Sequence, residues 1–355
     1  MPALDDARDS HNGAGDLVNG ADTRRVDETI LGVSDLSVVF HSHHRRSHVT
    51  AVDTVSFDVP RHRTVGLVGE SGSGKSTIAR AVLGLEPVTS GRVTFDGQDI
   101  TRPSKRERRA LTEHLQVIFQ DPYSSLSPTR TIRDTLVEPL LAHRTASREE
   151  ADERARHLLE RVGLASYALD RYPSEFSGGQ RQRIAIARAL MLQPKFIACD
   201  EPVSALDLSI QAQVLNLLKE LQQEMGLSYL FIAHNLSVVR YMSYEVLVLY
   251  RGQLMERGDA STLYHRPEHP YTRALLEASP VADPVEQSRR RAHQRATGAL
   301  SIQNLPVVGC PFAPRCAYAV PRCSSERPPS VVGPSGTTVA CHRVGELPWS
   351  NDGND

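Results

Sequence analysis

Long apolar runs are missing from this chain of 355 residues. None approaches the ~18 residues that a membrane-spanning helix needs, so any membrane role is expected to come through partner chains. Charge of one sign is not in excess either. The formal net charge is −1, which leaves no electrostatic footprint for bulk nucleic-acid binding. The N-terminal stretch, rich in Asp, Asn, Gly, Ala and Arg, lacks the apolar core of a secretory signal. Residues 1–28 are expected to be disordered, and the protein cytoplasmic. There is no internal repeat and no sustained heptad pattern. Cysteine is scarce, five in all, and no tight C-x2-C pair occurs. Cys199 sits inside an apolar run and is expected to be a small buried core residue. The other four, Cys310, Cys316, Cys323 and Cys341, crowd into the last fifth of the chain.

What the chain does have is Gly69-Glu70-Ser71-Gly72-Ser73-Gly74-Lys75-Ser76, which fits the phosphate-binding pattern G-x-x-x-x-G-K-[ST]. Glycines let consecutive backbone N–H groups point inward at phosphate oxygens. Lys75 is placed to reach the β/γ-phosphates and the Ser76 hydroxyl to bind Mg²⁺. Thr64–Val68 reads as a buried strand before the loop and Thr77–Leu85 as a helix after it, whose positive dipole end adds to the site.

The surrounding pattern alternates strands and helices. Val33–Phe40 and Ala51–Val59 alternate apolar and polar residues as half-buried strands do, and Gly91–Asp99 reads as a strand and turn. Between the first two, the histidine-rich run 41–48 is expected to be a solvated hairpin loop, because nothing fixes metal geometry there. Ser147 to about Gly163 has helical spacing with many charges. Lys195–Cys199, Tyr229–Ala233 and Val246–Tyr250 read as buried parallel strands. Helical patterns at Ile184–Leu192 and Ser209–Glu224 precede the first two. The whole implies an α/β fold with a parallel sheet.

The strand at 195–199 ends in Asp200 and Glu201. Residues just past the carboxyl end of a parallel strand lie at the ligand crevice. Asp200 is placed to hold Mg²⁺, and Glu201 to accept a proton from an attacking water. Upstream, Phe176-Ser177-Gly178-Gly179-Gln180 opens a helix with Ile184, Ala187 and Met191 on one face. Ser177 suits its N-cap, and the helix start is a second site suited to an anion.

These motifs, with Phe119-Gln120-Asp121-Pro122, Ser204-Ala205-Leu206-Asp207 and Ala233-His234-Asn235, resemble those of ABC-type ATPase subunits over roughly residues 30–280. The resemblance implies a P-loop NTPase core with an antiparallel β subdomain and a helical signature subdomain, binding ATP and Mg²⁺ through 69–76 and Thr77. It implies that Phe40 stacks on adenine, and that Gln120 touches Mg²⁺ and the attacking water. Ser177, Gly178, Gly179 and Gln180 would clamp the γ-phosphate bound to an opposite subunit. Asp207 would link the two sites, and His234 would contact the γ-phosphate. Phe176 stands where Leu is commoner in the family, and Asn235 where Asp often follows the histidine.

Arg266-Pro267-Glu268-His269-Pro270-Tyr271-Thr272-Arg273 and Gly309-Cys310-Pro311-Phe312-Ala313-Pro314-Arg315-Cys316 resemble oligopeptide/dipeptide importer ATPases, nearest their F-type subunit. That implies a head-to-tail dimer with a second ATPase subunit, two transmembrane permease subunits, an indirect solute-binding protein and a place at the cytoplasmic membrane face. The expected organisation is a tail 1–28, a nucleotide-binding domain 29–283, a charged linker 284–305 and a small Cys/Pro-rich module 306–355. Four thiolates at C-x5-C-x6-C-x17-C suit a [4Fe–4S] cluster, a zinc ion or reduced structural thiols, with His342 a further donor. Some members of the resembled subfamily carry the cluster on these cysteines. Two other functions stay open on sequence alone: an importer of nickel or another small solute, and a non-transport ABC ATPase. One cassette, no heptads and little net charge speak against the latter.

Overall fold

The computed structural model describes residues 28–42, 47–278 and 308–347. The expected N-terminal tail, apart from Glu28, and the charged linker 284–305 lie outside the described residues, as does the hairpin tip 43–46.

Two sheets make the frame. β1 (Thr29–Ser42), β2 (Ser47–Pro60), β4 (Ser90–Phe95) and β5 (Gln98–Asp99) form an antiparallel sheet in the order β2-β1-β4-β5. The larger sheet has the order β11-β12-β10-β9-β3-β8-β7-β6. Its centre is β3 (Thr64–Val68), β6 (Leu115–Ile118), β7 (Phe196–Asp200), β8 (Ser228–Ala233) and β9 (Glu245–Tyr250), all parallel. β3, β7 and β8 are buried along their whole length, as continuous apolar runs must be when both faces are covered. Cys199 is fully buried in β7.

The hairpin β1–β2 is longer than its apolar alternation indicates. It continues through His41 and His48, whose Nδ1 atoms lie 2.7 Å apart across the strands.

A helical layer is built from Ile132–His143, Arg148–Arg161 and Gly178–Leu190. The second of these is mostly charged, yet it starts cleanly: Ser147 Oγ accepts from Glu150 N at 3.3 Å and Glu150 Oε2 from Ser147 N at 2.7 Å. Such a reciprocal cap satisfies two orphan donors. Ala151, Ala155, Leu158 and Leu159 form its buried stripe, the one-face spacing a helix needs to pack.

The tail does not stand apart as a separate body. β12 (Thr338–Ala340) pairs antiparallel with β10 (Gln253–Asp259), and β11 (Ser330–Val332) adds outside it. The C-terminal strands thus extend the edge of the main sheet.

Candidate functional site

Four parallel strands deliver the expected residues to one crevice. The loop 69–76 follows β3, Gln120 follows β6, Asp200 and Glu201 end β7, and His234 follows β8. The register Val68↔Ala233 and Asp200↔Ile232 brings those strand ends level, which is where open parallel sheets bind ligands.

The loop is held from behind. Gly74 has φ +105, and a Cβ there would lie 2.3 Å from the Ala51 carbonyl oxygen, so any side chain would push the loop off β2. Gly252 N donates to Ser73 O at 2.8 Å. Ser73 Oγ is buried without a protein partner, a polar atom suited to a ligand oxygen. Lys75 is buried, and its Nζ donates to the carbonyls of Gly69 at 2.8 Å and Glu70 at 2.9 Å. Burial pulls its pKa down, while Glu201, Asp200 and Glu70 pull it back up.

Ser76 Oγ donates to Asp200 Oδ1 at 2.8 Å. Burial raises the Asp200 pKa against that hydrogen bond. A hydroxyl and a carboxylate side by side are the hard oxygen donors Mg²⁺ takes. Glu201 is the meeting point of the remaining groups: its Oε2 accepts from Gln120 Nε2 at 3.1 Å and stands 3.6 Å from His234 Nδ1. The arrangement can neutralise polyphosphate and orient a water beside a carboxylate.

The Ser177–Gln180 segment opens a helix of its own. Ser177 caps the helix Gly178–Leu190; its Oγ accepts from Gln180 N at 3.3 Å, and Gln180 Oε1 from Ser177 N at 3.0 Å. Among the described residues, no hydrogen bond or ion pair joins Ser177 or Gln180 to loop 69–76. Phe176 is buried, so the position needs an apolar anchor and a phenyl ring serves. Asp207 caps the helix Leu208–Met225 through Ile210 N at 3.0 Å, and that bond holds its carboxyl below the usual range. Phe40 is exposed near the end of β1.

Cys310, Cys316, Cys323 and Cys341 line one small cavity with His269 and Phe312. Burial pushes the thiols of Cys310 and Cys341 up to about 11 and raises that of Cys316. Among the described residues, no three His, Cys, Asp or Glu side chains are grouped as a metal-ion site. His342 is hydrogen-bonded through Nε2 to the Glu326 carbonyl oxygen at 2.9 Å.

Sequence reasoning gave no role to Tyr271 or Arg315. Tyr271 Oη accepts from Glu70 N at 2.9 Å, and Arg315 Nη1 lies 2.8 Å from Glu70 Oε2. Both residues sit in motifs noted above, but nothing local marks them as neighbours of the phosphate loop.

Fold and site together define an ATP-hydrolysing cassette. Residues 52–204 match the family "ABC transporter", and residues 255–323 match "Oligopeptide/dipeptide transporter, C-terminal region". The chain is 47% identical to the di/tripeptide transport ATP-binding protein DppF of Pseudomonas aeruginosa, over 89% of this chain and 98% of that protein. It is 45% identical to the oligopeptide transport ATP-binding protein OppF of Escherichia coli, over 90% and 98%. Among solved structures it resembles the dimeric ATP-binding cassette MJ0796 bound to ADP and Pi, at 26% identity and TM-score 0.59 over 65% of this chain and 99% of that one. The chain belongs to the ABC transporter ATP-binding family, in its oligopeptide/dipeptide branch. No helix among the described residues is long and apolar enough to cross a membrane.

Proposed function

We propose that this chain energises the import of di- and oligopeptides, working at the cytoplasmic face of the cell membrane through two transmembrane permease subunits. The supporting observation is the meeting of Lys75, Ser76, Asp200, Glu201, Gln120 and His234 at the carboxyl ends of four parallel strands. Relatives named for di/tripeptide and oligopeptide transport support the cargo class.

In this reading Phe40 stacks on adenine, and the backbone of 69–76, with Lys75 and Thr77, cradles the phosphates. Ser76, Asp200 and Gln120 would hold Mg²⁺, which supplies charge neutralisation across the phosphates. Glu201 takes the proton of the attacking water, with Gln120 and His234 orienting water and γ-phosphate. Catalysis is mostly positioning and charge stabilisation, as for phosphoryl transfer generally.

Each site is completed by a second cassette, most simply the other ATPase of a heterodimer. The exposed cap Ser177–Gln180 closes on ATP held by the partner, and Asp207 lies at the seam. Leu208, 84% exposed, gives that seam an apolar contact. A solute-binding protein outside the membrane would act on the cassettes only through the permeases.

The C-terminal cysteines are the proposed ligands of a [4Fe–4S] cluster. All four line one cavity, and thiolate sulfur is the donor such clusters take. When bound, the cluster would tie together a segment with few apolar residues.

Uptake by cells tests the cargo. Deleting the chain should abolish accumulation of labelled dipeptides and longer peptides, and restoring it should recover both. Lost nickel accumulation with intact peptide uptake would reject the peptide reading.

A further inference from the structure

The cysteine segment reaches the phosphate loop. Residues 310–316 fold into a tight turn: Ala313 N donates to Cys310 O at 3.0 Å, Arg315 N to Phe312 O at 2.9 Å, and Cys316 N to Ala313 O at 3.2 Å. That turn presents two side chains to the cassette. Phe312 is buried against Tyr250 and Tyr271, with ring centroids 5.5 and 5.3 Å away. Arg315 Nη1 donates to Glu70 Oε2 at 2.8 Å and to Tyr250 Oη at 3.4 Å.

Glu70 is therefore held at several points. Its carboxylate meets Arg315, its N–H donates to the fully buried Tyr271 at 2.9 Å, and its carbonyl accepts from Lys75 Nζ at 2.9 Å. The partners Tyr271 and Arg315 lie 201 and 245 positions along the chain from it. Electrostatics gives the pair a second consequence. Glu70 is an anion in a loop that must receive a polyphosphate, and like charges repel. Arg315 cancels that anion at hydrogen-bond distance.

We infer that Arg315 and Tyr271 are positioning residues of the phosphate loop, so that the C-terminal cysteine segment is a working part of the nucleotide site. Arg315 neutralises Glu70 and fixes its side chain; Tyr271 fixes its backbone. The inference rests on the assignment of 69–76 to the phosphates of ATP, which Lys75→Ala checks separately.

The test is a double-mutant cycle on the full chain, titrated with MgATP and with MgADP. Arg315→Gln should weaken MgATP binding by about fivefold, the upper end for a partly exposed ion pair. The loss should be larger for ATP than for ADP, because ATP carries the greater negative charge. Arg315→Lys should recover most of the affinity. With Glu70→Gln in place, Arg315→Gln should matter little, since there is no anion left to cancel. Hydrogen exchange of amides 69–76 should quicken in both Arg315→Gln and Tyr271→Phe. Native affinity in Arg315→Gln, or an equal loss with and without Glu70→Gln, overturns the inference. Native loop exchange in both variants does so as well. If Lys75→Ala binds MgATP normally, the loop assignment itself fails. If Lys75→Ala loses binding while Arg315→Gln keeps it, only the role of Arg315 and Tyr271 falls.

Discussion

Replacing Glu201 by Gln separates basicity from shape. The carboxylate Oε2 accepts from Gln120 Nε2 at 3.1 Å and stands 3.6 Å from His234 Nδ1, and an amide oxygen can fill the same place. The backbone at Glu201 is left-handed, φ +50, a cost that Glu and Gln carry alike. What disappears is a group able to accept a proton from water. A positioned base contributes about 10²–10⁴-fold, or roughly 3–5 kcal/mol of barrier. Binding should move the other way or not at all. Glu201 is the carboxylate that does most to hold the Lys75 ammonium charged against burial; yet it is also an anion beside the phosphate site, and its removal lessens repulsion there. The assay pairs phosphate release by the assembled transporter with MgATP titration of the purified chain. Turnover should fall by about a thousandfold, with affinity kept or tightened. Turnover within about tenfold of native, at retained binding, is below the range for a lost general base and refutes Glu201 in that role.

Three further outcomes are expected. Ser177→Arg should leave MgATP binding by the purified chain intact and abolish turnover of the paired cassettes; loss of binding in the purified chain would place the signature segment in its own site rather than the partner's. Leu208→Asp should lower the ATP-dependent dimer population measured by light scattering, whereas an unchanged population would remove Leu208 from the seam. In chain stripped of metal, alkylation of Cys310 and Cys341 should quicken by about tenfold per pH unit through about pH 9, because the thiolate reacts and burial pushes both thiols to about 11. A plateau near the ordinary thiol value would show that desolvation does not raise them, and Cys199, fully buried in β7, should stay unlabelled in the folded chain throughout.

The cassette was legible where one element carries its own signal. Thr64–Val68 is a five-residue apolar run closed by a glycine loop, and β3 has those bounds. β7 and β8 fall within a residue of their apolar runs. The signature helix starts at Gly178 with Ser177 as its cap, as the cap residue indicates; its first turn is polar, so the apolar pattern by itself begins only at Ile184. β6 was not foreseen, since Leu115–Ile118 has only four residues and half its pattern is partly exposed. The helix Ile132–His143 carries Pro139 in its interior, the residue that normally argues against a helix. The strands of the first hairpin run on through His41 and His48, polar positions that apolar alternation cannot flag.

The tie between the tail and the phosphate loop was illegible for another reason. Periodicity reports which face of an element is covered, not what covers it. Contacts separated by more than two hundred positions depend on how the sheet edge is completed. Here Glu256, in β10, completes it. Its carboxylate is fully buried; Oε1 accepts from Glu268 N at 2.9 Å and Thr337 Oγ1 at 3.2 Å, and Oε2 from His269 N at 3.0 Å. Burial still raises its pKa against those donors, so the group is costly and its donors are what make it tolerable. Those donors also fix the course of 268–271. His269 Nδ1 then accepts from Tyr271 N at 3.0 Å, while burial holds the ring neutral, with its pKa pushed down to about 3. Tyr271 is thereby aimed at Glu70. Thr337 leads directly into β12, so one carboxylate sets both the strand that docks the tail and the loop that braces the phosphate site. Glu256, Tyr271 and Arg315 are three unrelated polar positions in the sequence, and it is the bonds through His269 and Glu70 that link them in one chain of contacts.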